Sequence, residues 1–201
     1  MEAIDFVQQY SYLYICRILD KDEGWKEVNI QDSWRGASAE GLPTRANPNA
    51  RLDFNPQYAI TITKPCDGFI SLRQYDMVNM FKGKHSIYFM VSKTNGKRIT
   101  KVDKTTMVCK SGNPVNLNIV TFECDFDKTV TYPYKFTLMI ANTERGTVGE
   151  GGFEFSVYAT DPNIMVESLP FPKDFPTQAK DEVEWLIYFE LYIRYLLFLF
   201  F

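Results

Sequence analysis

Tyr134-Lys135-Phe136-Thr137-Leu138-Met139-Ile140 is the stretch on which the fold class turns. Tyr134, Phe136, Leu138 and Ile140 occupy every second position, with Lys135 and Thr137 outward between them. Successive strand side chains point to opposite faces, so period two reads as a strand with one buried face. Downstream, Phe153, Phe155 and Val157 repeat the pattern against Glu154 and Ser156. Upstream, Leu117 and Ile119 lead into 121–126, and Ile87, Phe89 and Val91 alternate with Tyr88 and Met90. Asn95-Gly96 then supplies a hairpin signal before a further strand over 98–102. Ile70 and Leu72 follow an Asp67-Gly68 turn, and Ile60 and Ile62 alternate with threonines. These segments predict an all-β fold, an antiparallel eight-stranded β-sandwich. An aromatic content of 15%, with 16 Phe and 12 Tyr, suits pleated and half-buried surfaces.

Outside these strands the reading changes. Ala3, Phe6, Val7 and Tyr10 fall at helical spacing, predicting a short N-terminal helix over 2–11, and 12–19 reads as a buried strand. Residues 24–56 are punctuated by Gly24, Gly36, Gly41, Pro43, Pro48 and Pro56 and read as a long loop, pinned by Trp25 and Trp34. A loop of that length suggests a bridge between two domains. After Pro162, a linker containing Pro170, Pro172 and Pro176 leads to an apolar C-terminal tail over 186–201, broken by Glu190 and Arg194. The tail is shorter than a membrane span requires. It reads as a membrane-peripheral helix, the start of a truncated second domain, or out-of-frame sequence.

The chain of 201 residues has a net charge of −3, which points to no particular class of partner. Cys16, Cys66, Cys109 and Cys124 are scattered, and the first ten residues carry Glu2 and Asp5, unlike a secretory leader. A cytoplasmic location with free thiols is the expectation. One His and four distant Cys do not make a zinc site.

Ser33-Trp34-Arg35-Gly36-Ala37-Ser38-Ala39-Glu40-Gly41 resembles the G-x-W-x-x-G-x-T-A-G-G stretch that opens domain III of calpains. Asn55-Pro56-Gln57-Tyr58 is similar to the N-P-Q step that follows it there, and Leu72-Arg73-Gln74-Tyr75-Asp76 resembles the family's L-x-Q-x-D. Tyr134-Lys135-Phe136 through Asn142-Thr143-Glu144, then Gly152-Phe153-Glu154-Phe155, look like its closing strands. Asp5-Phe6-Val7 to Ile15-Cys16 is similar to the segment that ends the calpain protease core. Over residues 5–160 the resemblance implies a C2-like sandwich at 24–162. A remnant of the protease core would precede it at 1–23, with a linker and tail at 163–201. Glu40 stands where the family has glycine, which puts a close backbone approach there in doubt. The acidic loop of some calpain sandwiches is missing, since 77–86 holds Lys82 and Lys84 and no carboxylate.

The resemblance implies a regulatory or interaction domain, with a protein partner or a calpain protease core as its target. The catalytic Cys, His and Asn of that family precede the segment with which this chain begins, so no catalytic residue is expected. A thiol protease needs a base beside its thiol. His85 is the one histidine, and it reads as a solvated or satisfied side chain at a strand edge. An active calpain-type endopeptidase is the reading only if the chain is a fragment of a longer product.

A second function class comes from charge. Lys82, Lys84, Lys93, Lys97, Arg98, Lys101, Lys104 and Lys110 face Asp103 alone, a local excess of seven with His85 neutral. Gathered on one rim, the first seven would form a contact for anionic phospholipid or an acidic partner. A solvated edge that blunts strand-to-strand aggregation explains the same residues. Nucleic acid is not expected, because the stretch has few Arg and no stacking motif. Glu123, Asp125 and Asp127 alternate at a strand end and make a weak calcium candidate; outward-facing carboxylates are the ordinary reading, and no other cofactor is implied. Gly146, Gly149, Gly151 and Gly152 lack the Lys-Ser/Thr of a phosphate loop and read as a mobile connection.

Overall fold

The computed structural model describes residues 24–176, apart from 46, 77, 80, 81, 127 and 128. The predicted helix over 2–11, the strand over 12–19 and the tail over 186–201 lie outside the described residues. Nine strands form two antiparallel sheets: β1 (Lys26–Trp34), β2 (Gln57–Ile62), β3 (Cys66–Gln74), β4 (Ile87–Ser92), β5 (Met107–Lys110), β6 (Ile119–Phe126), β7 (Tyr134–Asn142), β8 (Gly151–Ala159) and β9 (Met165–Ser168). One sheet runs β1-β8-β3-β6 and the other β5-β4-β7-β2-β9. The all-β sandwich predicted from period two is present, with nine strands among the described residues in place of eight. Helical residues among those described are short 3₁₀ turns at Gly36–Ser38, Leu52–Phe54 and Gly146–Gly149.

The main core lies between the sheets. Trp34, Ile70, Leu72, Phe126, Phe153, Phe155 and Val157 meet Tyr58, Ile60, Ile62, Phe89, Phe136, Leu138 and Ile140. Removing these apolar faces from water, at about 25 cal/mol per Å², holds the layers together. A second cluster of Leu52, Tyr88, Met90, Ile99, Met139 and Ala141 covers the outer face of the five-stranded sheet. That sheet is therefore buried on both sides. Thr137, expected to face outward, does so but is sealed beneath the 93–99 loop, bonding Lys97 O at 3.0 Å and Thr94 Oγ1 at 2.6 Å.

Several boundaries differ from the sequence reading. The stretch 24–56 is not loop throughout, because β1 pairs along its whole length with β8, from Lys26↔Ala159 to Trp34↔Gly151. Asp67-Gly68 is no turn: both lie inside β3, and Gly68 is required because a Cβ there would meet the Phe126 ring at 2.3 Å. Asn95 and Gly96 do adopt left-handed φ values of 51° and 72°. No strand over 98–102 follows, because Ile99 N–H donates instead to Gln57 Oε1 at 2.7 Å. β4 pairs with β5 after the longer excursion. The linker after Pro162 contributes β9, which pairs with β2 from Tyr58↔Ser168 to Thr61↔Met165.

Candidate functional site

The motif residues gather at one end of the sandwich, where three buried amides stand in for missing strand partners. Gln74, the last residue of β3, accepts from His85 N–H at 2.9 Å and donates to His85 O at 2.8 Å and Leu117 O at 2.7 Å. Gln57, the first residue of β2, accepts from Ile99 N–H and donates to Leu52 O at 2.9 Å and Ile99 O at 3.0 Å. Asn55 donates to Gly41 O at 2.9 Å, and Pro56 O accepts from Ile140 N–H at 3.0 Å. Each amide satisfies backbone groups that would otherwise be buried without a partner.

Aromatics and glycines complete this end. Trp34 closes β1, its ring 4.5 Å from Phe153 and edge-on to His85 at 6.1 Å. Gly36 takes φ 48° and donates its N–H to Glu150 Oε1 at 2.8 Å. Gly41 takes φ 77°, and a Cβ there would meet Glu144 O at 2.6 Å. The close backbone approach that Glu40 put in doubt is therefore kept, one residue later. Glu40 is itself buried, accepting from Arg51 N–H at 3.1 Å and pairing with Arg145 Nε at 3.0 Å. Asp76 O receives Lys84 N–H, and Gly152 O receives Tyr75 N–H. Gly152 has no room for a Cβ, which would lie 2.7 Å from the Tyr75 ring. Tyr58 joins the two sheets through its hydroxyl to Asp32 Oδ2 at 2.5 Å. Burial, and then that carboxylate, push the phenol pKa up.

His85 is not a solvated edge residue; it is 1% exposed. Nε2 lies 3.1 Å from Glu150 O, which can only accept, so Nε2 carries a proton. Nδ1 faces Glu144 Oε2 at 3.4 Å. Cys66 opens β3 and His85 bonds to its far end, so roughly 26 Å of strand lies between them. Burial pushes the Cys66 thiol up to about 11, away from the reactive range.

The basic residues do not share one rim. Lys82 and Lys84 precede β4, and Lys84 Nζ donates to Glu150 O at 3.0 Å beside the amide cluster. Lys93 follows β4, about 17 Å along that strand, and Lys97, Lys101 and Lys104 lie on the loop that covers the outer face of the five-stranded sheet and runs back to Asn55 and Gln57. Lys82, Lys84, Lys97, Lys101 and Lys104 are exposed. Arg98 is engaged inside the molecule: its guanidinium donates to Asp53 O at 2.7 Å, Asn55 O at 2.5 Å, Leu169 O at 2.8 Å and Pro170 O at 3.2 Å. It also covers the Phe171 ring at 4.8 Å. Burial draws its pKa down to about 10, against the attraction of Asp53 and Tyr58, so it stays charged at neutral pH. A single arginine in a basic run gives no sequence sign of such a clamp.

Glu123 and Asp125 are exposed on β6, in register with Phe69 and Asp67 of β3. With Trp25 and Gly68 they border a polar hollow of about 240 Å³. Asp127 lies outside the described residues, among which no three His, Cys, Asp or Glu side chains converge as a metal site. Gly146, Gly149, Gly151 and Gly152 form a 3₁₀ turn running into β8. Among the described residues no helix is long and apolar enough to cross a membrane. A scan against protein-family models finds no match, and a search of curated proteins finds none either.

Proposed function

We propose that this chain is a non-catalytic regulatory or interaction domain of a calpain-type cysteine protease, acting on proteolysis by docking onto a protease core or a protein partner. One observation carries this reading. Residues from four separate stretches that resemble calpain domain III converge on a single end of the sandwich: Trp34 to Gly41, Asn55 to Tyr58, Gln74 to Asp76, and Gly152 with Phe153. There Asn55 bonds Gly41 O, Trp34 packs on Phe153 and Tyr75 N–H reaches Gly152 O. Motifs that are weak singly gain weight when they serve one local structure. The distance from His85 to Cys66 and the raised Cys66 pKa support a role without peptide-bond chemistry. The test is titration of a separately prepared calpain-type protease core with the full chain, reading both binding and the rate on a peptide substrate. Saturable binding with a changed rate is expected. No binding at tens of micromolar, or turnover by the chain alone that Cys66→Ala abolishes, would overturn the proposal.

A second reading, recruitment to anionic phospholipid, is favoured by exposed Lys97, Lys101 and Lys104 on one loop. Co-sedimentation with vesicles containing phosphatidylserine, lost in the triple Lys→Ala variant, is its expected result. Equal pelleting on neutral and anionic vesicles removes it.

A further inference from the structure

Cys109 on β5 and Cys124 on β6 bring their sulfurs to 2.6 Å, and both are free thiols. β5 ends one sheet and β6 ends the other, so the contact spans a seam with no backbone ladder across it. Phe122 lies beside it on β6, sharing parity with buried Val120 and Cys124, yet it is 47% exposed. The seam is therefore incompletely covered next to the cysteine pair. We propose that Cys109 and Cys124 form a reversible dithiol–disulfide site whose oxidation clamps the two sheets together along this edge.

The oxidant class is a hydroperoxide. Cys109, at 8% exposed, is reached before Cys124, at 0%. The Cys109 sulfur takes the distal peroxide oxygen and becomes a sulfenic acid as the O–O bond breaks, releasing an alcohol, or water from hydrogen peroxide. The Cys124 sulfur then attacks that sulfur. The S–O bond breaks, and the departing hydroxide leaves as water with the Cys124 proton. Two thiols have lost two electrons and two protons to the peroxide, and a small dithiol reverses the change by exchange. Burial first, then the neighbouring Cys109, raise the Cys124 thiol pKa, so little thiolate is present at neutral pH.

The experiment uses the full chain treated with hydrogen peroxide, then unfolded, alkylated and mapped by mass spectrometry, with and without dithiothreitol. A Cys109–Cys124 cross-link is expected, reversed by dithiothreitol and retained in Cys66→Ser. It should raise Tm by roughly 5–10 °C, as closing a short loop across a domain of this size predicts. It should also slow amide exchange in β5 and β6. Cys109→Ala and Cys124→Val should each show no change in Tm or amide exchange on peroxide treatment relative to the same variant untreated. Cross-linking through Cys66 instead, alkylation at both Cys109 and Cys124 after prolonged oxidation, or a cross-link without a change in Tm would each overturn the proposal.

Discussion

Gln74 and Gln57 show how one side chain can replace a strand partner. Each amide offers a donor and an acceptor in the spacing of a peptide group, and each closes on one residue, His85 or Ile99. Gln74→Leu keeps the volume but orphans the buried His85 N–H. It should cost about 2–4 kcal/mol, read as a lower urea midpoint at unchanged m-value. Arg98→Lys is not conservative either, because an ammonium cannot serve four carbonyls spread across Asp53, Asn55, Leu169 and Pro170. A loss of about 2–3 kcal/mol is expected from the same measurement. Binding to anionic vesicles should be unchanged, which separates Arg98 from the exposed lysines. The sequence marked Gln57 and Gln74 through their resemblance to a family motif. It placed Arg98 with the lysines because composition cannot say which cation the chain folds over.

At the scale of elements, β7 and β8 were legible because polar residues separate the inward apolar ones, Lys135 and Thr137 in β7, Glu154 and Ser156 in β8. β1 carries a similar alternation through Val28, Ile30 and Trp34, but as an edge strand it is largely polar, and the glycines and prolines that follow dominate the reading. β5 and β9 span four residues each, too few to display a period. The connection after β8 depends on a buried carboxylate. Burial alone would raise the pKa of Asp161. The N–H groups of Thr63 and Asn163, the Thr63 hydroxyl and the Lys64 N–H together outweigh burial and hold it below the ordinary carboxyl value. Because the folded value is depressed, its stabilisation is present above the unfolded value of about 3.9 and is lost as pH falls through the folded one. Asp161→Asn should therefore be less stable than the parent by about 1–2 kcal/mol at pH 7. That gap should close below about pH 4, as urea titrations across pH would record. A gap independent of pH would mean that shape, not charge, is what Asp161 supplies.

For the whole molecule, the question is where the folding unit stops. Read from punctuation, the sandwich stops near Pro162 and a linker follows. The packing argues for a later boundary. β9 completes the β2 edge, Leu169 N–H donates to Gln57 O at 2.8 Å, and Arg98 reaches Leu169 O. Phe171 and Phe175 stack at 4.0 Å, and Phe175 meets Phe54 edge-on at 5.2 Å. These residues cap the same end of the sandwich that holds the amide cluster, so losing them strips partners from β2, Arg98 and Phe54 together. A chain of residues 1–176 should unfold in one cooperative transition. A chain of residues 1–162 should lose about 3–5 kcal/mol, the range for breaking a buried charge's partners and exposing aromatic surface, or collect as aggregate through the freed β2 edge. Equal urea midpoints for the two would show that β9 and the aromatic segment rest on a sandwich already complete without them, and the boundary would return to Pro162.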